Sequence, residues 1–136
     1  MHRMKFINKS KPEKYKKWIW NYENFDISPL NFPTGAGGVL YPPYCFNKEV
    51  FNENVFMDIC KYADDVWFKA MSLLNNTLSQ KIYTHNKSGE DYTPIANTQD
   101  TELANINVVK NMNDKQIKAV FDKYNLYEIC LRPYKF

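Results

Sequence analysis

The chain has 136 residues, of which 44% are hydrophobic and 16% aromatic. This composition indicates a packed core and excludes a disordered protein, and the length predicts one domain over residues 1–136. No apolar run reaches the ~18–20 residues that a membrane-spanning helix needs. A secretory signal is also missing, because a lysine-rich stretch follows the first six residues. We therefore expect a cytoplasmic protein.

The net charge of +3 is unevenly distributed. The first twenty residues carry seven basic side chains and a single acid, Glu13, whereas the remaining chain is slightly acidic. Nucleic-acid binding usually brings a broader basic footprint than one local arm, so no nucleic-acid partner is expected. The arm is either a solvated charged face or a peripheral contact with the inner face of a membrane.

The cysteines predict thiols rather than disulfides. Cys45, Cys60 and Cys130 lie far apart and are odd in number, which fits buried thiols in a reducing compartment. No group of Cys and His residues has the spacing of a zinc site, and we predict no metal ligand in this chain.

The N-terminal third predicts short strands and loops. Residues 1–7 alternate in polarity and predict a strand. Trp18, Trp20 and Tyr22 recur at every second position, which favours a strand-like face over a helix. Three of the four glycines fall within residues 35–38, before an apolar stretch that predicts a strand and ends at two prolines.

Helices are predicted in the middle and near the end of the chain. Asn52 is placed to cap a helix over residues 53–60. The clearest helix covers residues 63–74, where the apolar residues recur with helical spacing: Ala63, Val66, Trp67, Ala70, Met71 and Leu74. The last predicted helix opens with Asn113 as its cap and Gln116 reaching back in a capping box. Its buried stripe is Ile117, Val120, Phe121 and Tyr124.

The remaining segments complete an α/β pattern. Residues 78–85 alternate as a strand, residues 86–99 predict an exposed loop, and residues 126–131 predict a last strand. The predicted fold is a small mixed sheet with two main helices, and nothing divides it into two domains.

Two adjacent carboxylates, Asp64 and Asp65, stand at the start of the clearest helix. Capping and the helix dipole explain one carboxylate at this position. Two exceed what a cap needs, and a rigid buried helix is the support that a general base requires. The glycine cluster likewise has two interpretations, a tight turn or the wall of a ligand cleft. It matches neither a P-loop nor a dinucleotide fingerprint.

The order of these motifs is more specific than any one of them. Residues 33–43 (PTGAGGVLYPP), residues 63–71 (ADDVWFKAM) and residues 113–116 (NDKQ) together resemble a family of bacterial glycosyltransferases that build surface polysaccharides. Members of that family are similar to GT-A-type nucleotide-diphospho-sugar transferases. The chain resembles their C-terminal, acceptor-side half, and it contains no Asp-x-Asp motif of the kind that ends the nucleotide-binding half.

The resemblance implies roles for particular residues. In inverting GT-A enzymes an acidic pair at a helix start supplies the base that deprotonates the acceptor hydroxyl, which here corresponds to Asp65 with Asp64 as its acceptor-binding neighbour. Trp67 is expected to pack beneath the base. The expected substrate-binding residues are Gly35, Gly37, Gly38, Tyr41, Trp67, Trp18 and Trp20. Three of these aromatics, Trp18, Trp20 and Tyr41, are candidates for stacking on sugar rings, although at least one of them is expected to be in the core.

The implied partners are a nucleotide-sugar donor and a cell-envelope or capsular saccharide acceptor. Mn²⁺ or Mg²⁺ is expected only together with the missing Asp-x-Asp half, so the isolated chain is expected to be inactive. A second interpretation is a non-catalytic saccharide-binding or remnant module that self-associates, since half of a two-part fold exposes apolar surface. A third is a membrane-surface adaptor built on the basic arm.

Overall fold

The computed structural model describes residues 1–82, 106–107 and 110–133. Within these residues the chain forms four α-helices and two small two-stranded sheets, which agrees with the predicted α/β class. The strands are β1 (His2–Arg3), β2 (Phe6–Asn8), β3 (Lys11–Pro12) and β4 (Asn31–Phe32). The helices are α1 (Glu53–Ile59), α2 (Asp64–Leu74), α3 (Met112–Tyr124) and α4 (Leu126–Leu131).

The described strands form two antiparallel pairs instead of the single mixed sheet that we expected. β1 pairs with β4, and β2 pairs with β3 as a hairpin. The predicted strand over residues 1–7 is therefore divided at Met4, whose side chain is buried and whose N–H donates to the Leu30 carbonyl at 2.9 Å. The first half of the segment joins one sheet and the second half joins the other.

The strand-like interpretation of the aromatic segment is wrong. Residues Tyr15–Lys17 form a 3₁₀ turn, and the three aromatics that follow do not share one face. Trp18 is buried, whereas Trp20 is 46% exposed. Within this described segment only Ile19 pairs like a strand residue, in an isolated bridge to Arg3.

Two of the helices begin as the sequence predicts. The Asn52 side chain caps α1 by accepting a hydrogen bond from the Val55 N–H at 3.2 Å. The apolar stripe of α2 is confirmed, because Val66, Trp67 and Ala70 are all at most 2% exposed. A polar residue, Lys69, is also buried on this helix, which the hydrophobic pattern did not indicate.

The predicted cap of α3 is wrong, although its buried stripe is correct. The helix begins at Met112, and its N-cap is Asn111 in the left-handed conformation, with no side-chain cap. The Gln116 side chain instead makes a long-range contact, in which its Oε1 accepts a hydrogen bond from the Tyr62 N–H at 2.9 Å. A tertiary contact has replaced the local capping box.

The last predicted strand is a helix, α4. Asn125 adopts the left-handed conformation (φ 51°) and is both the C-cap of α3 and the N-cap of α4. The chain therefore reverses at one residue and packs back on the core. Leu126 and Cys130, four positions apart, are 0% and 2% exposed, which is helical spacing.

Two further predicted strands are not found in the part of the chain that the structure describes. The stretch after the glycine cluster is irregular, and Leu40 is 87% exposed. Ser79 forms only an isolated bridge with Ser28. The predicted strand beyond residue 82 and the predicted loop over residues 86–99 lie outside the described residues.

The core lies where α2 packs against α3 and α4. Its largest fully buried side chains include Phe32, Phe121, Met71 and Leu73. The three cysteines are buried thiols, as predicted. None of the described helices combines the length and the apolar character needed to cross a membrane.

Candidate active site

The two candidate carboxylates lie in the first turn of α2. The N-cap residue is Ala63, which offers no side-chain cap. Asp64 Oδ1 accepts a hydrogen bond from the Asp65 N–H at 3.0 Å, and Asp65 Oδ1 accepts one from the Val66 N–H at 2.8 Å. The Val66 N–H is shared between Asp65 Oδ1 and the Ala63 carbonyl, and the positive end of the helix dipole favours the charge of both carboxylates.

The two carboxylates differ in environment. Asp64 is exposed, whereas Asp65 is half-buried. Burial raises the pKa of Asp65 from 3.8 to about 6, the charge of Asp64 raises it further, and the Val66 N–H opposes the shift. A carboxyl with a pKa near 6 is ionised at neutral pH and is still basic enough to accept a proton efficiently.

Three titratable side chains lie close enough to the pair to respond to its charge. Burial is the main cause of the raised pKa of Tyr15, and the Asp65 charge adds to it. Burial and both carboxylates raise the pKa of Tyr41 to about 12 and that of Cys60 to about 12. Tyr41 therefore lies within electrostatic range of the carboxylates, although more than twenty residues of sequence separate them.

Tyr41 is held in place by an aromatic cluster. Its ring centroid lies 4.8 Å from that of Phe46 and 5.5 Å from that of Phe68, and the last two rings stack at 5.3 Å. Phe68 belongs to α2, one turn after Asp64. Tyr41 remains 37% exposed, so part of its side chain borders solvent.

The glycine cluster forms a surface turn that precedes Tyr41. Gly35–Gly37 is a 3₁₀ turn, closed by a hydrogen bond from the Gly38 N–H to the Gly35 carbonyl at 3.0 Å. Of the glycines that the structure describes, only Gly38 has a positive φ, 78°. A Cβ atom on Gly35 or Gly37 would meet nothing within 4 Å. Nothing in the described chain therefore requires glycine at those two positions, and their role in a substrate pocket stays a prediction.

The three tryptophans have different environments. Trp67 is 2% exposed, donates from Nε1 to the Val50 carbonyl at 3.2 Å, and packs between Phe56 and Tyr124. Its ring is enclosed in the core, and its expected packing beneath the base stays a prediction.

Trp18 is 4% exposed and packs on Tyr15 and Phe32. Its ring therefore lies in the core, which is the alternative expected for at least one of the three stacking candidates. Trp20 keeps an exposed face, but it stacks on His2 in the N-terminal segment.

Sequence reasoning missed Tyr15 and Cys60 as neighbours of the carboxylates. Tyr15 stands in the basic arm, and its N–H donates to Asp114 Oδ1 at 2.7 Å, which ties the arm to the start of α3. No sequence signal reports this long-range contact. A surface cavity of about 310 Å³ lies elsewhere, lined by residues that include Ser28, Leu30 and Cys130, and it contains none of the candidate residues.

Comparison with protein-family models, with curated proteins and with solved structures found no match to this chain. Among the residues that the structure describes, no three His, Cys, Asp or Glu side chains come together in a way that could hold a metal ion. The functional assignment therefore depends on the site itself and on the motif resemblance.

Proposed function

We propose that this chain is the acceptor-side part of a glycosyltransferase that moves a sugar from a nucleotide-sugar donor to a cell-envelope or capsular saccharide. The observation that carries the proposal is Asp65, a half-buried carboxyl with a pKa of about 6 on a rigid helix, beside an exposed Asp64. This is the arrangement that general base catalysis needs near neutral pH. The motif order described above supports the same function.

The proposed step is transfer of one glycosyl group. The acceptor hydroxyl oxygen bonds to the anomeric carbon of the donor sugar while its proton passes to the Asp65 carboxylate. The bond between the anomeric carbon and the phosphate oxygen breaks, and its electron pair leaves with the nucleoside diphosphate. Asp64 accepts a hydrogen bond from the acceptor, and Tyr41 presents its ring edge to the sugar. The divalent ion that such a diphosphate requires is a property of the nucleotide-binding half.

The decisive test is sugar transfer by a polypeptide in which this segment follows a nucleotide-binding half. Asp65→Asn removes the proton acceptor while it keeps the size and the contact with the Val66 N–H. Turnover should fall by ~10²–10⁴-fold, the usual contribution of a general base. Asp64→Asn is the matched control and should reduce turnover less. Unimpaired turnover in the Asp65→Asn enzyme would refute the assignment.

A binding measurement on the chain alone tests whether the nucleotide site lies outside this chain. Because it contains no Asp-x-Asp motif, we expect only weak binding of a uridine diphosphate sugar with Mn²⁺ by calorimetry. Micromolar, Mn²⁺-dependent binding would show that this chain holds its own nucleotide site.

A specific observation favours the second interpretation, a non-catalytic saccharide-binding or remnant module that self-associates. Leu40, Tyr44 and Phe51 are 87%, 96% and 87% exposed, and large apolar side chains exposed to this degree are typical of interaction surfaces. Tyr44 also has a positive φ of 63°, which is uncommon for a bulky residue.

Light scattering separates the two interpretations. The module interpretation predicts an oligomer that dissociates when Leu40, Tyr44 and Phe51 are all changed to Ser. A monomer over the whole concentration range would remove the support for this interpretation. Sugar transfer by the polypeptide that joins this segment to a nucleotide-binding half would support the enzyme interpretation.

A further inference from the structure

The N-terminal segment presents a dense positive charge on its surface. Six lysine side chains are exposed there: Lys5, Lys9, Lys11, Lys14, Lys16 and Lys17. The single acid of the segment, Glu13, lies 3.8 Å from Lys17 Nζ and accepts a hydrogen bond from the Lys14 N–H. We name these six lysines, with Ile7, Ile19 and Trp20, the basic face. One acid cannot balance it, so the face attracts anions.

The basic face is part of the fold and not a flexible tail. Its lysines lie on or beside the β2–β3 hairpin and the turn Tyr15–Lys17. The Glu13 N–H donates to the Lys5 carbonyl at 2.8 Å, and this hydrogen bond joins the residue before β2 to the residue after β3. The Tyr15 side chain is buried in the core. The charges are therefore held on a preformed surface, which lowers the entropy cost of binding.

Apolar side chains accompany the charge. Trp20 is 46% exposed, Ile19 42% and Ile7 54%. One face of the Trp20 ring stacks on His2 with centroids 4.9 Å apart, and its Nε1 donates to the Tyr15 carbonyl at 3.3 Å. An indole that is held by His2 and Tyr15 and still 46% exposed, in the same segment as the lysines, suits the boundary between lipid headgroups and acyl chains.

We infer that the basic face docks this protein on the surface of an anionic lipid bilayer, with Trp20 entering the interface. Each lysine near such a surface contributes about 1 kcal/mol, and the apolar side chains add contacts that do not depend on charge. The slightly acidic remainder of the chain is repelled by the same surface, which orients the protein. This inference does not depend on the proposed sugar transfer.

The type of cation favours lipid over nucleic acid. All six exposed cations are lysines, whereas nucleic-acid recognition relies strongly on the forked geometry of arginine. The one arginine of the segment, Arg3, is engaged: it donates to Asp26 at 2.9 Å and Asn31 at 2.7 Å and lies over the Tyr22 ring. The flexible lysine side chains, each with one compact charge, suit the diffuse negative charge of an anionic lipid surface.

The test is co-sedimentation of the full chain with vesicles of phosphatidylcholine alone or with one third phosphatidylglycerol. We expect binding only to the anionic vesicles, weakened by added salt. Changing Lys14, Lys16 and Lys17 to Gln should lower the affinity by about 100-fold, as the loss of three lysine contacts implies. The matched control changes Lys48, Lys61 and Lys123 to Gln, which removes the same charge from exposed positions outside the face.

Trp20→Ser tests the apolar contact, since it should weaken vesicle binding also at high salt. Equal binding to both kinds of vesicle, or an equal loss in the two triple variants, would overturn the inference. Tighter binding to a DNA duplex than to anionic vesicles would also overturn it and would assign the face to nucleic acid.

Discussion

Replacing Asp65 by Asn should stabilise the fold at neutral pH, although it removes the proposed base. Burial raises the pKa of Asp65 from its ordinary value of 3.8 to about 6. The folded protein therefore holds this proton more tightly than the unfolded chain does. The buried carboxyl costs nothing below about pH 4; the cost grows between about pH 4 and pH 6 and is constant above that.

The size of the effect follows from the two pKa values. One pKa unit corresponds to about 1.4 kcal/mol, so the full difference between 3.8 and about 6 is worth about 3 kcal/mol. Asp65 is only half-buried, and solvent screening reduces this to about 1–2 kcal/mol. The side-chain amide oxygen introduced by the substitution would still accept the hydrogen bond from the Val66 N–H, so little is lost in return.

Urea unfolding of the wild type and of Asp65→Asn between about pH 4 and pH 8 measures this difference. The variant should be more stable at the upper end and equal to the wild type at the lower end. Asp64→Asn is the control, because Asp64 is exposed and its replacement removes the same charge from the same helix turn. If Asp65→Asn did not raise the free energy of unfolding at high pH, or raised it equally at all pH values, the raised pKa attributed to burial of this carboxyl would be refuted.

The other predictions concern the turn, the core and a buried lysine. Gly38→Ala should lower stability by about 1–3 kcal/mol because of its positive φ, whereas Gly35→Ala should change it by less than ~0.5 kcal/mol; equal losses in thermal unfolding would contradict this. Phe121→Ala should cost about 3–5 kcal/mol in urea unfolding, since the ring is 1% exposed, and a loss below about 1 kcal/mol would show that the core is loosely packed. Burial lowers the pKa of Lys69 to about 8, so the wild type should gain stability from about pH 8 to pH 10 as the unfolded chain keeps its proton. The Lys69→Met variant should be more stable than the wild type at neutral pH and should show no rise in stability between about pH 8 and pH 10. A variant with the same pH profile as the wild type would contradict this prediction.

The helices were predictable where local sequence decides the structure. The stripe of α2 and the Asn52 cap of α1 follow from spacing and from one side chain, and both are confirmed. The α3 cap was wrong because Gln116 hydrogen-bonds to Tyr62, fifty-four residues away. Residues 126–131 were predicted as a strand because the left-handed conformation of Asn125 is not visible in a pattern of apolar residues.

The candidate site was predictable in part. Asp64 and Asp65 stand out in sequence, and the motif resemblance named Tyr41 as a sugar-stacking candidate without relating it to the two carboxylates. The approach of Tyr15 was not predictable, since it depends on how the basic arm packs on α3. The opposite environments of Trp18 and Trp20 were not predictable, because a two-residue period assigns both side chains to the same face.

The shared end of α3 and α4 couples their exchange with solvent. A six-residue helix is too short to persist alone in water, and α4 has no start of its own apart from Asn125, the residue that ends α3. Fraying of the last turn of α3 therefore releases the first turn of α4 in the same event. Amide protons of both turns should exchange with deuterium at a common rate, and a change at Asn125 should raise both rates together. We therefore expect the two helices to open as one unit of the native state.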